Sequence, residues 1–496
     1  VNQEWVVYQW LFEVIVYLFY SLAGFQGLGF FTLLVITTTY TLLFINLRIQ
    51  NVNPVYAAIA LGISGWINIL FWYARPAIST YLMLSLVLLI FTLAEKNSYR
   101  YLWALPIVVM LWANLHLGFL SGIFLISLYA FYRIVVYFYD KSLKNKDIAI
   151  TMLFTTVGCY LMSLLNPYGI RLYTYMHSLA SSEYMNNNIK ELLSPDFHKN
   201  FYQPLLVMIF LVVFLSFSNR RTNYFYIILL GISLATALLF VRNVPFFAIF
   251  AGLVLAFELQ NIQEFFAGNE KIHKFIRYPF DKLSQFQAKQ NELLAIKPKP
   301  LKLPLSLLVI LSFLFVLIPN LETGYIVKNI KFSMNYTKDR PYDAYIFVKK
   351  FKPPGRLYAP PTWGSYAIFH LYPDYKVYID TRFDMYGEEF FKSSHHLKLV
   401  MPGWEKKLIK YDVNWVVIPV KCSMANLMRG KHEKYWFEVY KDKTAAIFML
   451  RSPENEKWFK ESGAQKAYRE GLLGRKVEIK PVSKLKWSGS SQKKEK

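Results

Sequence analysis

The chain has 496 residues, 55% hydrophobic and only 18% charged, where soluble domains carry roughly a quarter charged. Its 36 Tyr, 41 Phe and 12 Trp, with a positive mean hydropathy, exclude a disordered chain, a fibrous protein and an ordinary soluble enzyme. The formal charge of +24 is not a nucleic-acid signature, because the basic residues are spread along loops and tail without interleaved aromatics; no nucleic-acid partner is expected.

Residues 5–22 are apolar but place Gln9, Glu13, Tyr17 and Tyr20 on one helical face. Glu13 would be costly at the bilayer centre, so this segment is predicted to lie in the membrane surface rather than span it. Apolar runs of spanning length then follow at 24–47, 54–73, 78–94, 101–115, 117–139, 148–166, 203–218, 224–241, 244–259 and 303–320, predicting about ten spans. Every second loop is basic: Arg48, then Lys96 and Arg100, then Lys141, Lys144 and Lys146, then Arg220 and Arg221, then 260–302 with its run from Lys271 to Lys302. This alternation places those loops in the cytoplasm and residues 1–23 and everything after 320 on the outer side. Val1 is not an initiator Met, so chain is expected to precede it, with room for one further helix.

After 320 the pattern becomes that of a soluble domain, 321–451, that alternates elements: a helix at 341–351, a strand near 356–359, a helix from about 363 and a strand at 376–380. A helix at 404–411, a strand at 414–420 and a hairpin over 436–450 turning at Lys441-Asp442-Lys443 complete it. Residues 452–496 read as helix and then a basic tail. The expected fold class is a polytopic α-helical membrane domain (24–320) followed by a soluble α/β domain. Cys159 and Cys422 match no metal-ligand spacing and are not expected to pair. There is no internal repeat and no Gly-rich phosphate loop.

Under this topology the unusual polar residues of the membrane domain gather on one side. Glu4, Arg75, Asn114, His116, Glu191 and Arg242 all fall at the outer ends of predicted spans, on the side of the soluble domain. Each has a structural alternative: Glu4 suits a helix N-terminus, Glu191 a solvated loop, the arginines an interface anchor, and Asn114 and His116 bonds between helices. Asn166-Pro167-Tyr168-Gly169 reads as a helix stop and turn. Taken together, two carboxylates could deprotonate an acceptor or hold a divalent cation such as Mg or Mn. Arginines at the bilayer surface, with His116 and Asn114, could bind a phosphate. Such a set suits transfer of a group from a lipid-linked phosphate to an outer-side acceptor, and it suits hydrolysis of that phosphate equally well.

Several motifs carry a family resemblance: Asn2-Gln3-Glu4-Trp5, Trp112-Ala113-Asn114-Leu115-His116, Asn166-Pro167-Tyr168-Gly169, Ile189-Lys190-Glu191 through Ser194-Pro195, and Arg242-Asn243-Val244-Pro245. So do Trp363-Gly364-Ser365-Tyr366 and Ile379-Asp380-Thr381-Arg382. With these the chain resembles the GT-C superfamily of polytopic glycosyltransferases, and within it a broad group of bacterial membrane proteins. The resemblance implies a polyprenyl-phosphate or polyprenyl-diphosphate sugar donor, a glycan, protein or lipid acceptor, and residence in the bacterial inner membrane with the C-terminal domain periplasmic. It implies Glu4 and Glu191 as catalytic or metal-holding acids, with Arg75, Arg242, His116 and Asn114 on the carrier phosphate.

The chain is also similar, more loosely, to oligosaccharyltransferase catalytic subunits, whose Thr-Ile-x-Glu motif Asn188-Ile189-Lys190-Glu191 matches except at its first residue. Their Trp-Trp-Asp-Tyr-Gly acceptor motif has its nearest counterpart in Thr362-Trp363-Gly364-Ser365-Tyr366, without the second Trp and the Asp. On the soluble domain Trp363, Tyr366, Asp380 and Arg382 become acceptor-binding candidates, with helix packing and an internal Asp–Arg pair as their structural alternatives. The competing class is a non-catalytic GT-C-shaped scaffold or accessory subunit that binds lipid or partner subunits. A transporter or flippase ranks below it, since no inverted repeat is present.

Overall fold

The computed structural model describes residues 5–216, 224–267, 278–285, 288–289 and 340–469. Glu4, the basic pair Arg220 and Arg221, most of loop 260–302, the expected span 303–320 and the tail after 469 lie outside the described residues. The chain divides into two units, Val1–Asn335 and Tyr336–Lys496.

The first unit is helical. Its α1 (Trp10–Ile49) is two helices across a break, where Ala23 and Gly24 leave helical geometry and Gly24 takes φ 59°, ψ −141°, a conformation that favours glycine. The chain turns so tightly there that a Cβ on Gly27 would sit 2.0 Å from the Phe19 carbonyl oxygen. The segment before the break thus ends where the predicted surface helix ends, but its rotation differs from the expected polar face. Phe12 and Phe19 dock on Phe31 at ring distances of 5.7 and 5.0 Å, which turns Glu13, Val14, Tyr17, Leu18 and Leu22 outward. Packing of the aromatic residues, rather than segregation of polar ones, sets that rotation.

Next come α2 (Pro54–Asn68), α3 (Ala77–Lys96), α4 (Leu105–Leu115), α5 (Phe119–Tyr139) and α6 (Leu143–Ser163). The short α7 (Arg171–Ala180) and α8 (Glu183–Asn188) precede α9 (Gln203–Ser216), α10 (Tyr224–Leu239) and α11 (Val244–Ala267). Local chemistry starts these helices where the sequence suggests: Asn53 accepts the Val55 N–H and Pro54 occupies the first turn of α2, where a missing N–H costs nothing. Ser142 caps α6 in the same way, which starts that helix five residues before the expected 148.

Among the described residues five segments are long and apolar enough to cross a membrane: Trp10–Ile49, Pro54–Phe71, Ala77–Lys96, Phe119–Tyr139 and Val241–Ala267. Helices α9 and α10 are apolar but shorter. Phe131, Phe138, Phe154, Phe210 and Phe214 are each exposed by 61% to 69%. Water penalises such a surface and lipid does not, which supports a membrane protein.

Side-chain contacts sort the helix ends into two sets, as the alternation of loops does. One set joins Gln50 to Thr92 and Tyr226, Asn53 to Gln260, and Glu95 to Tyr129 and Arg133. The other joins Trp10 to Asn114, Val7 to Tyr168, Asn68 to Pro245, Arg75 to Glu191 and Thr80 to His116.

The second unit is a small α/β domain around a four-stranded sheet in the order β1-β2-β4-β3, built from β1 (Arg356–Tyr358), β2 (Val413–Pro419), β3 (Trp436–Lys441) and β4 (Ala445–Leu450). Strands β1 and β2 are parallel, and the other pairs antiparallel. Helices α12 (Tyr342–Phe351), α13 (Pro361–Leu371) and α15 (Trp404–Lys410) and the β3–β4 hairpin fall close to their expected positions. Helices α14 (Phe383–Lys398) and α16 (Ser423–Arg429) were not expected, and α17 (Pro453–Glu461) and α18 (Ala464–Arg469) end the described chain.

The expected strand at 376–380 is only a single bridge, Leu357 to Val377. The Tyr378 N–H still donates to the Leu357 carbonyl at 3.2 Å, and from residue 381 the backbone N–H groups bond to side chains instead. Ser365 Oγ accepts the Thr381 N–H at 3.1 Å, Asp380 Oδ1 accepts the Arg382 N–H at 2.7 Å, and Gly364 lies against the Ile379 carbonyl, 1.9 Å from where its Cβ would be.

A candidate anion site in the helical unit

Four separate segments bring charge and hydrogen-bond donors together at the Arg75 end of the helical unit. The loop after α2 supplies Arg75, the loop after α4 supplies His116, the turn before α9 supplies Glu191 and the turn before α11 supplies Arg242. Tyr81, near the start of α3, is buried at their meeting point and feels the charges of Glu191, Arg242 and Arg75. The Glu191 turn is pinned to the Arg242 turn by the backbone: Val241 N–H donates to the Leu193 carbonyl at 2.9 Å, and Ser194 Oγ donates to the Leu239 carbonyl at 3.4 Å.

Arg75 donates to Glu191 Oε1 at 2.6 Å, with both side chains more than half exposed. A pair this open to solvent is worth at most about 1 kcal/mol, and the guanidinium retains donors for a second anion. Arg242 is exposed and makes no hydrogen bond or ion pair with the described residues. His116 follows the last residue of α4, where Nδ1 lies 2.8 Å from Thr80 Oγ1 and accepts the Gly118 N–H at 3.1 Å. Burial, with Arg242 adding to it, pushes the imidazole pKa down to about 3, so the ring is neutral at physiological pH.

The other predicted site residues divide differently. Asn114 is engaged throughout: its Oδ1 accepts from Trp10 Nε1 at 2.9 Å, and its Nδ2 donates to the Met110 and Leu165 carbonyls. It ties the first helix to α4 and to the end of α6. Asn166 and Tyr168 form a turn, and the Tyr168 hydroxyl accepts the Val7 N–H at 3.0 Å, so this turn holds the start of the chain. Glu4 lies outside the described residues. Glu191 is then the cluster's one carboxylate among the described residues, with Arg75 on Oε1, and no group of three His, Cys, Asp or Glu there is arranged to hold a metal. These residues do not by themselves fit a divalent cation.

In the second unit the acceptor candidates serve the domain's interior. Trp363 is buried in the core, and its carbonyl accepts the Tyr345 hydroxyl at 2.8 Å. Asp380 is 1% exposed; it accepts from the Arg382 N–H, Nε and NH2 and from the Tyr386 hydroxyl. Tyr366 is half-buried with its ring 4.3 Å from that of His370. The His370 Nε2 is buried without a hydrogen-bond partner among the described residues, and burial, with Lys349 adding, lowers its pKa to about 4. Both cysteines are free, as expected.

Sequence reasoning missed Thr80 and Tyr81, which lie inside an apolar run. Their one legible signal is position, one turn beyond Arg75-Pro76 and so at the same helix end. The chain matches no protein-family model, and no curated protein matches it.

Proposed function

We propose that this is a polytopic membrane protein of about ten spans that transfers a sugar from a polyprenyl-phosphate or polyprenyl-diphosphate to an acceptor on the outer face of a bacterial inner membrane. Its C-terminal α/β domain lies on that same outer side. The observation that carries the reading is the meeting of Arg75, His116, Glu191 and Arg242 around one helix end, from segments far apart in sequence. Two guanidiniums and a neutral imidazole suit a phosphate, the exposed apolar helix faces suit a lipid tail, and a carboxylate beside them suits an acceptor proton.

In the reaction the bond from the sugar's anomeric carbon to the carrier phosphate oxygen breaks and a bond from that carbon to the acceptor oxygen forms. The acceptor proton passes to Glu191 or Glu4, and the carrier leaves as its phosphate or diphosphate, with Arg75 and Arg242 balancing the charge that develops there. No step is routed through a metal.

A second reading, a non-catalytic scaffold of the same shape, draws on one specific observation: the soluble-domain candidates Trp363 and Asp380 are engaged within their own domain. Carrier turnover in membranes separates the two. Supplied with mixed polyprenyl-linked sugars and an outer-side extract, the wild type is expected to label acceptor. Glu191→Gln, Arg242→Gln and Glu4→Gln are each expected to lose about 100-fold or more while remaining folded. Carrier loss without labelled acceptor would mean hydrolysis, and no turnover by folded wild type across a wide carrier panel would mean the scaffold.

A further inference from the structure

His116 is more tightly specified than a residue that merely lines a site. A backbone N–H can only donate, so the Gly118 N–H at 3.1 Å requires a lone pair on His116 Nδ1. With Nδ1 an acceptor, the Thr80 hydroxyl 2.8 Å away can only donate to it, while Thr80 Oγ1 accepts the Trp112 Nε1–H at 2.9 Å. The imidazole proton therefore belongs on Nε2. That nitrogen makes no hydrogen bond with the described residues, and the His116 side chain is only partly buried among them. The arrangement depends on glycine at 118: a Cβ there would lie 2.1 Å from Thr80 Oγ1 and 2.8 Å from His116 Nδ1.

We infer that Thr80 is a positioning residue that, with Trp112 and Gly118, locks His116 as an Nε2–H donor and presents it, beside Arg242, to an oxygen of a phosphate group. The ligand class rests on the function proposed above; the tautomer does not. Arg242 is the charged group acting on the ring, and Thr80, Trp112 and Gly118 around Nδ1 do not titrate, so the donor keeps one protonation state over about pH 5 to 8. A neutral donor can hold a phosphate oxygen without exchanging protons with it, which leaves proton transfer to the carboxylates.

The test uses the full chain in lipid nanodiscs with nitrogen-15 histidine, the His116 signals being assigned by difference from His116→Gln. The expected result is an Nε2-protonated, Nδ1-unprotonated ring throughout that pH range in the wild type and in Thr80→Ser. A ring protonated on Nδ1, or doubly protonated near neutral pH, overturns the inference without any variant.

Inorganic phosphate and a fifteen-carbon isoprenyl phosphate are then titrated separately. Either is expected to shift Nε2, with a lipid headgroup favoured if only the second does. Thr80→Val is expected to weaken the binding about tenfold and Thr80→Ser to restore it. If Arg242→Gln weakens binding while Thr80→Val does not, the phosphate site stands and the role of Thr80 falls. If neither probe binds the folded wild type, the phosphate reading falls and takes the donor role with it, while the measured tautomer remains.

Discussion

The two ends of the helical unit handle polar side chains in opposite ways. At the end holding Gln50 and Asn53, a buried arginine is paired: Arg133 donates to Glu95 at 3.2 Å and to Asn145 at 2.6 Å, Tyr129 donates to Glu95, and Asn145 donates to Asp140. The Tyr129 ring is stacked on Phe91 at 3.9 Å, and Arg133 is 7% exposed. At the Arg75 end the Arg75–Glu191 pair is open to solvent, and among the described residues Arg242 stands without an ion pair and His116 Nε2 without a hydrogen bond. Buried ions need partners to exist at all, so the first end reads as architecture. Charged donors that are open to solvent are what an anion would find, so the second reads as a site. The Asp380–Arg382–Tyr386 knot of the α/β domain resembles the first end, not the second.

The sharpest way to break this contrast is at the partnered end. Arg133→Met would strand the Glu95 carboxylate and is expected to cost about 3–5 kcal/mol, seen as a large fall in the thermal unfolding midpoint in detergent. A fall no greater than that of an exposed substitution would remove the distinction between the two ends. Gly364→Ala tests the knot: its methyl would meet the Ile379 carbonyl, and about 1–3 kcal/mol should be lost, read by hydrogen exchange confined to residues 340–469 of the full chain.

His370 offers a smaller effect with a definite sign. Its pKa falls from an ordinary 6.5 to about 4 on folding, so between these values the unfolded chain binds more protons. The domain's stability should be full above about pH 6.5 and decline as pH drops toward 4, by on the order of 1 kcal/mol after solvent screening. His370→Gln should flatten that slope, and an unchanged slope would assign it to other groups. Smallest of all, Arg75→Gln should change stability by less than about 1 kcal/mol, because both members of its pair are exposed, whereas the proposed function requires carrier turnover to fall far more than that figure would suggest. Loss of folding in this variant would make Arg75 architecture after all.

Much of the fold in both units was legible because apolar length and turn chemistry are local properties. Gly24 ends the first helix segment where periodicity predicts it, Asn53-Pro54 starts α2, and Lys441-Asp442-Lys443 lies at the β3–β4 hairpin turn. The strand expected at 376–380 is reduced to one bridge, with the Tyr378 N–H on the Leu357 carbonyl, and just past it Ser365, from a separate helix, takes the Thr381 N–H, a contact that local pattern does not carry. Helix α14 was missed because Gly387, at φ 78°, interrupts its periodicity.

For the site, sequence alone supplied the residue types and, from loop parity and charge along the chain, the expectation that they fall at one end of the helices. Which of them remain available was decided only by the tertiary structure. Asn114 and Arg242 look equally promising as letters; Asn114 meets Trp10 and Leu165 and is saturated, whereas Arg242 meets no partner among the described residues. Likewise Thr80 is one more residue in an apolar run until Trp112, His116 and Gly118 close around it. Hydrogen-bond satisfaction depends on neighbours in space, and neighbours more than thirty residues away along the chain exist only once the helices have packed.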